Sequence, residues 1–305
     1  MARELKHIPV LADATLRALC PFPGMIIVDC TLGLGGHSAL ILRKISPDGT
    51  LIAFDFDAGN IARAQEKIQT VARSDVKVHL VHSNFAAVDL QLRALGISQV
   101  DGILADLGVA SPQIDDPDRG FSYRRSGPLD MRMDTTRGQP ASAMINRMSE
   151  SELRKTMLEL GDETDAPQIA KLIVKRRQQS PIMTTQALTA IICEARDFTL
   201  DRAAGAKLHP AARAFQAFRM LVNREISNLE RLLTVAPTLL KPGGIVAIIT
   251  FHSGEDRPVK HAFRDGHKQG IYSEITPDPI VATEDQIKEN PRSRSAKLRW
   301  ARRAK

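Results

Sequence analysis

The run Ile26-Ile27-Val28-Asp29-Cys30 breaks into Thr31-Leu32-Gly33-Leu34-Gly35-Gly36 and continues as His37-Ser38. An apolar strand that ends in a glycine-rich turn and then a helix builds a nucleotide-sized ligand site. No other feature limits the possible folds of this chain as strongly. Glycines at three of the four positions 33–36 let the backbone bend tightly and let a ligand approach with no Cβ in the way. Residues 38–45 read as a helix whose N-terminal N–H groups point back over the glycines.

The rest of the first third repeats that alternation. Residues 26–30, 51–54, 76–81 and 102–105 are strand candidates, and helical periodicity at 61–72 and 85–95 lies between them, a βαβ rhythm. The pattern returns at 245–250 after a Pro-Gly-Gly turn and ends in a strand over 296–302. The middle of the chain, from Ser111 to about Asn223, offers helices only. Ser149 and Glu152 form a capping box and Gly161 stops that helix. Asp165 with Pro167 opens the next helix, and Thr184 or Thr185 another. A long helix opens at Pro210, with Phe215, Phe218, Val222, Ile226, Leu229 and Leu233 along one face. The economical architecture is an α/β sheet interrupted by an all-helical insert, in three segments: 1–112, 113–222 and 223–305. An insert at the carboxyl ends of the strands is placed to cover a substrate.

Composition narrows the class. With 305 residues, 43% hydrophobic and 25% charged, the chain is expected to be soluble and globular. No apolar run reaches membrane-spanning length, and Met1 to Val10 is too polar for a signal peptide, so a cytoplasmic location is expected. Cys20, Cys30 and Cys193 suggest neither a disulfide framework nor a zinc site, and all three read as buried thiols. The net charge of +7 points to a polyanionic partner. From Arg292 onward come Arg294, Lys297, Arg299, Arg302, Arg303 and Lys305 with no acid among them, either a phosphate-gripping tail or a solvated basic terminus.

The candidate chemistry gathers at strand ends. Asp55 lies twenty residues past Gly35, the separation at which an acid reaches ribose hydroxyls; a turn aspartate is the plainer alternative, and Asp57 reads as the helix cap. A dinucleotide fingerprint needs G-x-G-x-x-G, yet Ser38 stands where its last glycine belongs. Asp29, the compact glycine turn and Asp55 together suit S-adenosylmethionine instead. Phe85, after Asn84, is either an aromatic edge for adenine or ordinary core. Asp106 ends the fourth strand beside Gly108. His37 and His252 are the two histidines placed near a ligand. No metal site is expected, and H-E-x-x-H, P-loop and G-x-S-x-G patterns are absent.

Several segments carry a specific resemblance: His7-Ile8-Pro9-Val10-Leu11, Gly33-Leu34-Gly35-Gly36-His37-Ser38, Asp106-Leu107-Gly108-Val109-Ala110-Ser111-Pro112-Gln113, Gly127-Pro128-Leu129-Asp130-Met131-Arg132-Met133-Asp134, Phe251-His252-Ser253 and Asn290-Pro291-Arg292-Ser293-Arg294. Across nearly its whole length the chain resembles the 16S ribosomal RNA cytosine-N4 methyltransferase (MraW) family. Gly254 and Pro258 depart from the family's usual apolar residues. The resemblance implies a class I, Rossmann-like methyltransferase sheet with a substrate-recognising helical insert, S-adenosyl-L-methionine as methyl donor, and methylation of a cytosine N4 in the decoding region of 16S rRNA, within the small subunit or its precursor. It carries cofactor contacts onto Gly35, Gly36, His37, Asp55, Phe85, Asp106 and Gln113. Asp106, or a backbone carbonyl near Ser111-Pro112, would accept from the cytosine amino group, and Arg292 and Arg294 would meet phosphates. The rival readings are a nicotinamide-dependent oxidoreductase and a non-catalytic RNA-binding assembly factor.

Overall fold

The computed structural model describes residues 9–206 and 208–305; His7 and Ile8 of the first resemblance segment, and most of the 1–10 stretch read as too polar for a leader, lie outside them. The chain divides into two compact units, one of Met1–Gly108 with Ser227–Lys305 and the other of Val109–Ile226.

The first unit is built on a sheet of β1 (Ile26–Asp29), β2 (Thr50–Asp55), β3 (Lys77–His82), β4 (Val100–Asp106), β5 (Leu240–Thr250), β6 (Tyr272–Ile275), β7 (Ile280–Val281) and β8 (Lys297–Arg303). Its order is β3-β2-β1-β4-β5-β8-β6, with β7 also on β8. β1 to β5 run parallel, whereas β8 is antiparallel to β5, β6 and β7. This is the expected Rossmann-like α/β sheet. Strand order reverses between β1 and β4, so the carboxyl ends of those two strands flank the topological switch point, where open α/β sheets bind ligands.

The period-2 alternation of the strands explains the layers. Ile27, Leu51, Ala53, Leu104 and Ala247 face a core shared with α1 (Ala12–Leu19), α2 (Gly36–Ile45) and α3 (Ala58–Val71). Their neighbours Val28, Ile52, Ile103, Ala105 and Val246 face the opposite core, with α4 (Val88–Ala94) and later helices. Strands covered on both faces read as continuous apolar runs, which is how they appear in the sequence.

The second unit holds α5 (Ser111–Asp115), α6 (Ala141–Arg147), α7 (Glu150–Gly161), α8 (Ala166–Arg177), α9 (Thr185–Ala195), α10 (Leu200–Ala204) and α11 (Ala212–Asn223). Its extended pairing among the described residues is one isolated bridge, Pro128 to Thr184. Its own core centres on Leu153, Met157, Ile169, Ile173, Leu188, Phe215 and Phe218. The Ser149–Glu152 capping box forms as expected, and Thr184 caps α9. The chain then enters α12 (Glu225–Leu239) and, beyond β5, α13 (Ser253–Lys268) and α14 (Glu284–Glu289). Pro258 lies within α13, which continues through it. Among the described residues no helix is long and apolar enough to cross a membrane.

Three local expectations fail for tertiary reasons. The long helix from Pro210 is two helices, because Arg224 takes a left-handed conformation at φ 52°. Beside the break, the Asn223 amide donates to Met131 O and Arg219 O and accepts from Met133 N. The Pro-Gly-Gly segment is no turn ahead of a strand. β5 already pairs at Leu240 with Val100, and the register jumps to Ile245 opposite Gly102. Cys20 is exposed rather than buried, while Cys30 and Cys193 are buried.

Gly161 also plays another part than the expected stop. The left-handed capping position falls on Asp162, at φ 49°. A Cβ on Gly161 would lie 2.6 Å from the Arg213 carbonyl oxygen and 3.0 Å from the Ala217 Cβ, so glycine is there to let α7 approach α11. Gly161→Ala is therefore expected to destabilise the protein by about 1–3 kcal/mol in urea unfolding, in spite of alanine's better helix propensity. A more stable variant would contradict this account of the contact.

Candidate functional site at the switch point

The carboxyl ends of β1, β2 and β4 each end in an aspartate, and the three carboxylates organise the loops around them. Asp29 is fully buried. It accepts from Ser38 Oγ at 2.6 Å and from the Thr31 N–H at 3.1 Å, tying the end of β1 to its turn and to the first turn of α2. Burial raises its carboxyl above the usual range, opposed by the Ser38 and Thr31 hydrogen bonds. Thr31 Oγ1 in turn accepts the Asp106 N–H at 2.6 Å, which links the β1 turn to the tip of β4.

Asp55 bridges the glycine turn and the start of α3. Its Oδ2 accepts from Gly33 N–H and its Oδ1 from Asp57 N–H, both at 2.8 Å, and the Asn60 amide reaches both oxygens at 3.3 Å. Burial pushes this carboxyl up to about 6, against those hydrogen bonds. Asp57 is the cap, accepting from Gly59 N–H at 2.9 Å. Gly33 and Gly35 have φ of 52° and 72°, a region that side chains other than glycine rarely enter. A Cβ on Gly35 would also meet Ala64 and Ile68 of α3 at 3.3 Å.

His37, buried in the first turn of α2, brings Nε2 to 3.6 Å from Asp106 Oδ2. About 24% of the Asp106 side chain is open, yet its Oδ1 is buried with no hydrogen-bond partner. Burial, followed by repulsion from Asp29 and then Glu255, pushes its carboxyl well above the usual range. An unpartnered buried acceptor is costly, and a ligand bearing an N–H or a positive charge relieves that cost. Phe85, on the single 3-10 turn after β3, is half-buried against the core; Asn84 caps that turn through Ala86 N–H.

The structure thus gathers Gly35, Gly36, His37, Asp55, Phe85 and Asp106 along the carboxyl edge of one sheet. Gln113 belongs to the other unit, where its Oε1 accepts the Ala110 N–H at 2.9 Å and closes the start of α5. The Gly127–Asp134 segment lies in the same unit and is tied to it through Thr185, Met183 and Asn223. Arg132 grips Asp130 with two hydrogen bonds, at 2.8 and 2.7 Å, and donates to Thr135 O.

Reasoning from sequence missed Thr31, Ser38 and Asn60, whose common residue types carry no signal of their own, and Glu255. It also overstated the basic tail. Arg299 is buried in a two-bond pair with Asp256, which Lys297 joins at 3.7 Å. Arg302 meets Glu274, and Arg303 donates to Ile271 O. Arg292 and Arg294 remain exposed, on the one-turn segment Pro291–Ser295.

Residues 4–304 match the MraW methylase family. The ribosomal RNA small subunit methyltransferase H of Sorangium cellulosum is 42% identical, over 99% of this chain and 92% of its own. Those of Nitratidesulfovibrio vulgaris and Geotalea uraniireducens are 43% and 42% identical, over 97% and 98% of this chain and 85% and 98% of theirs. A family match of this extent sets aside the oxidoreductase reading that the glycine spacing had already disfavoured: the chain belongs to the MraW methylase family.

Proposed function

We propose that this protein methylates the exocyclic N4 of a cytosine in the decoding region of 16S rRNA, in the cytoplasm, acting on the small ribosomal subunit or its precursor. The observation that carries the reading is the family match over residues 4–304 to relatives named for small-subunit rRNA methylation, joined to a switch point lined with acceptors rather than phosphate-binding cations.

S-adenosyl-L-methionine supplies an electrophilic methyl group on a sulfonium centre. The residues present fit such a donor: Asp55 for the ribose hydroxyls, Phe85 for the adenine edge, the Gly35–His37 turn for close backbone approach, and the unpartnered Asp106 oxygen for an N–H or cationic group. The protein's task is to hold a weak nucleophile in line, an effect worth roughly 7–11 kcal/mol in favourable cases. A cytosine amino lone pair is delocalised into its ring, and Asp106, accepting from the amino N–H, makes the nitrogen a better donor. The base must leave its stack, which costs least where the RNA is unpaired. The helical unit recognises the substrate, and Arg292 and Arg294 meet phosphates.

Mass spectrometry of 16S rRNA from cells with and without this chain is expected to show one N4-methylcytosine lost on deletion; an unchanged methylation pattern would refute the assignment. Asp55 gives a pH signature. Ribose hydroxyls donate to the ionised carboxylate, so a group with its pKa at about 6 is ready to bind above that value and loses an acceptor below it. The Kd for S-adenosylhomocysteine is expected to be about tenfold weaker at pH 5 than at pH 7, at one decade per unit below the pKa. Asp55→Asn should bind weakly with a flat profile, and an equally steep profile in that variant would move the titration to another group. Arg292→Ala with Arg294→Ala is expected to weaken RNA binding and flatten the salt dependence by roughly 1.4–1.8 in log–log slope. An unchanged slope would return these arginines to a solubility role.

A further inference from the structure

Two acids from other elements, Asp29 of β1 and Glu255 of α13, act electrostatically on Asp106 of β4. Glu255 is 2% exposed. Its Oε2 accepts the Phe251 N–H at 2.9 Å, and its Oε1 lies 3.2 Å from His252 Nε2. The group on α2 facing Asp106 is His37, at 3.6 Å. Among the described residues no lysine or arginine is ion-paired with Asp29 or Asp106. Burial, and after it Asp29 and Glu255, raises the Asp106 carboxyl well above the usual range, and its Oδ1 is buried with no hydrogen-bond partner.

A cation arriving within a few ångströms favours the ionised carboxylate. Methyl transfer then reverses that bias. The amino lone pair forms the new N–C bond, the C–S electron pair returns to sulfur, and the nitrogen is left with one proton too many just as the positive charge on sulfur disappears. We propose that binding of the methyl donor ionises Asp106, and that Asp106, with Glu255 as its charged neighbour, takes up the proton released by the cytosine amino group as the methyl group is transferred. Asp106 is then the catalytic residue, and Glu255 a positioning residue that sets its proton affinity. This rests on the reading that a methyl-bearing sulfonium occupies the switch point.

Calorimetric titration of the full chain at about pH 7, in buffers of low and high ionisation enthalpy, counts the protons exchanged on binding. S-adenosylmethionine and S-adenosylhomocysteine share their adenosine and amino-acid groups, so the difference between them isolates the sulfonium charge. S-adenosylmethionine is expected to release about one more proton per site than S-adenosylhomocysteine. Equal counts with both ligands bound would overturn the proposal and leave the methyl-donor reading standing, whereas no heat from either would overturn both. Asp106→Asn is expected to abolish the difference while still binding S-adenosylhomocysteine; a difference that persists in this variant would place the proton elsewhere and refute the role of Asp106. Glu255→Gln keeps an acceptor for the Phe251 N–H and is expected to reduce the difference to less than half, which keeps the test decisive if Asp106→Asn does not fold. An undiminished difference there would remove Glu255 from the proposal.

Discussion

The buried Asp29 carboxylate is the point on which the site's architecture depends. It lies at the end of a central strand, fully buried, and burying a carboxylate costs several kcal/mol unless hydrogen bonds compensate. Ser38 and Thr31 supply those bonds, and in doing so they fix where the turn ends and where α2 begins. Thr31 then passes the constraint sideways by accepting from the Asp106 backbone. One desolvated group therefore fixes the β1 tip, the glycine turn and the β4 tip in relation to one another. Loss of either donor would leave one buried oxygen of Asp29 without that hydrogen bond, so the cost of burying Asp29 enforces a single loop geometry.

A division between local and distant partners governs what could be read from the sequence. The sheet was legible because strands covered on both faces must be apolar throughout, and because glycines, caps and capping boxes act within a few residues. Asp57 and the Ser149–Glu152 pair are signals of that local kind, and both form. The turn, Asp55 and Asp106 were legible because their positions relative to strand ends follow from topology. What escaped depends on partners far away in sequence. Arg224 breaks a helix whose apolar face is continuous across the break, next to an Asn223 that is held by Met131 and Met133. Gly161 is explained by the Arg213 carbonyl, about fifty residues away, and not by its own φ. Glu255 has its meaning only once α13 brings it to β4.

Charge shows the same limit. Composition gives a basic chain with a basic end, and nothing in the tail's own sequence reveals that Arg299 is consumed by Asp256. In that pair burial alone would raise the Asp256 carboxyl, and the Arg299 hydrogen bonds and charge hold it below the usual range instead. Lys297 and Arg302 likewise have acidic partners. The cationic surface is accordingly smaller than the count of basic residues, and at this end of the chain the basic residues without an acidic partner among those described are Arg292, Arg294, Arg303, which donates to a carbonyl, and the terminal lysine.

The sign of the field at the switch point also discriminates between ligands. A helix N-terminus such as that of α2 carries partial positive charge and by itself favours an anion, which is how many glycine turns hold pyrophosphates. Here Asp29, Asp55 and Asp106 crowd the same edge, and no arginine or lysine is ion-paired with Asp29 or Asp106 among the described residues. A pyrophosphate brought to this edge would oppose the ionisation of these carboxyl groups in a poorly solvated setting, where repulsion between like charges is strong. A ligand with a sulfonium and an ammonium would be attracted by the carboxylates, while its single carboxylate could still use the helix terminus. The missing third glycine and the added carboxylates are thus two aspects of one selection: the turn keeps the backbone access of a nucleotide fold, and its electrostatics suit a cationic donor.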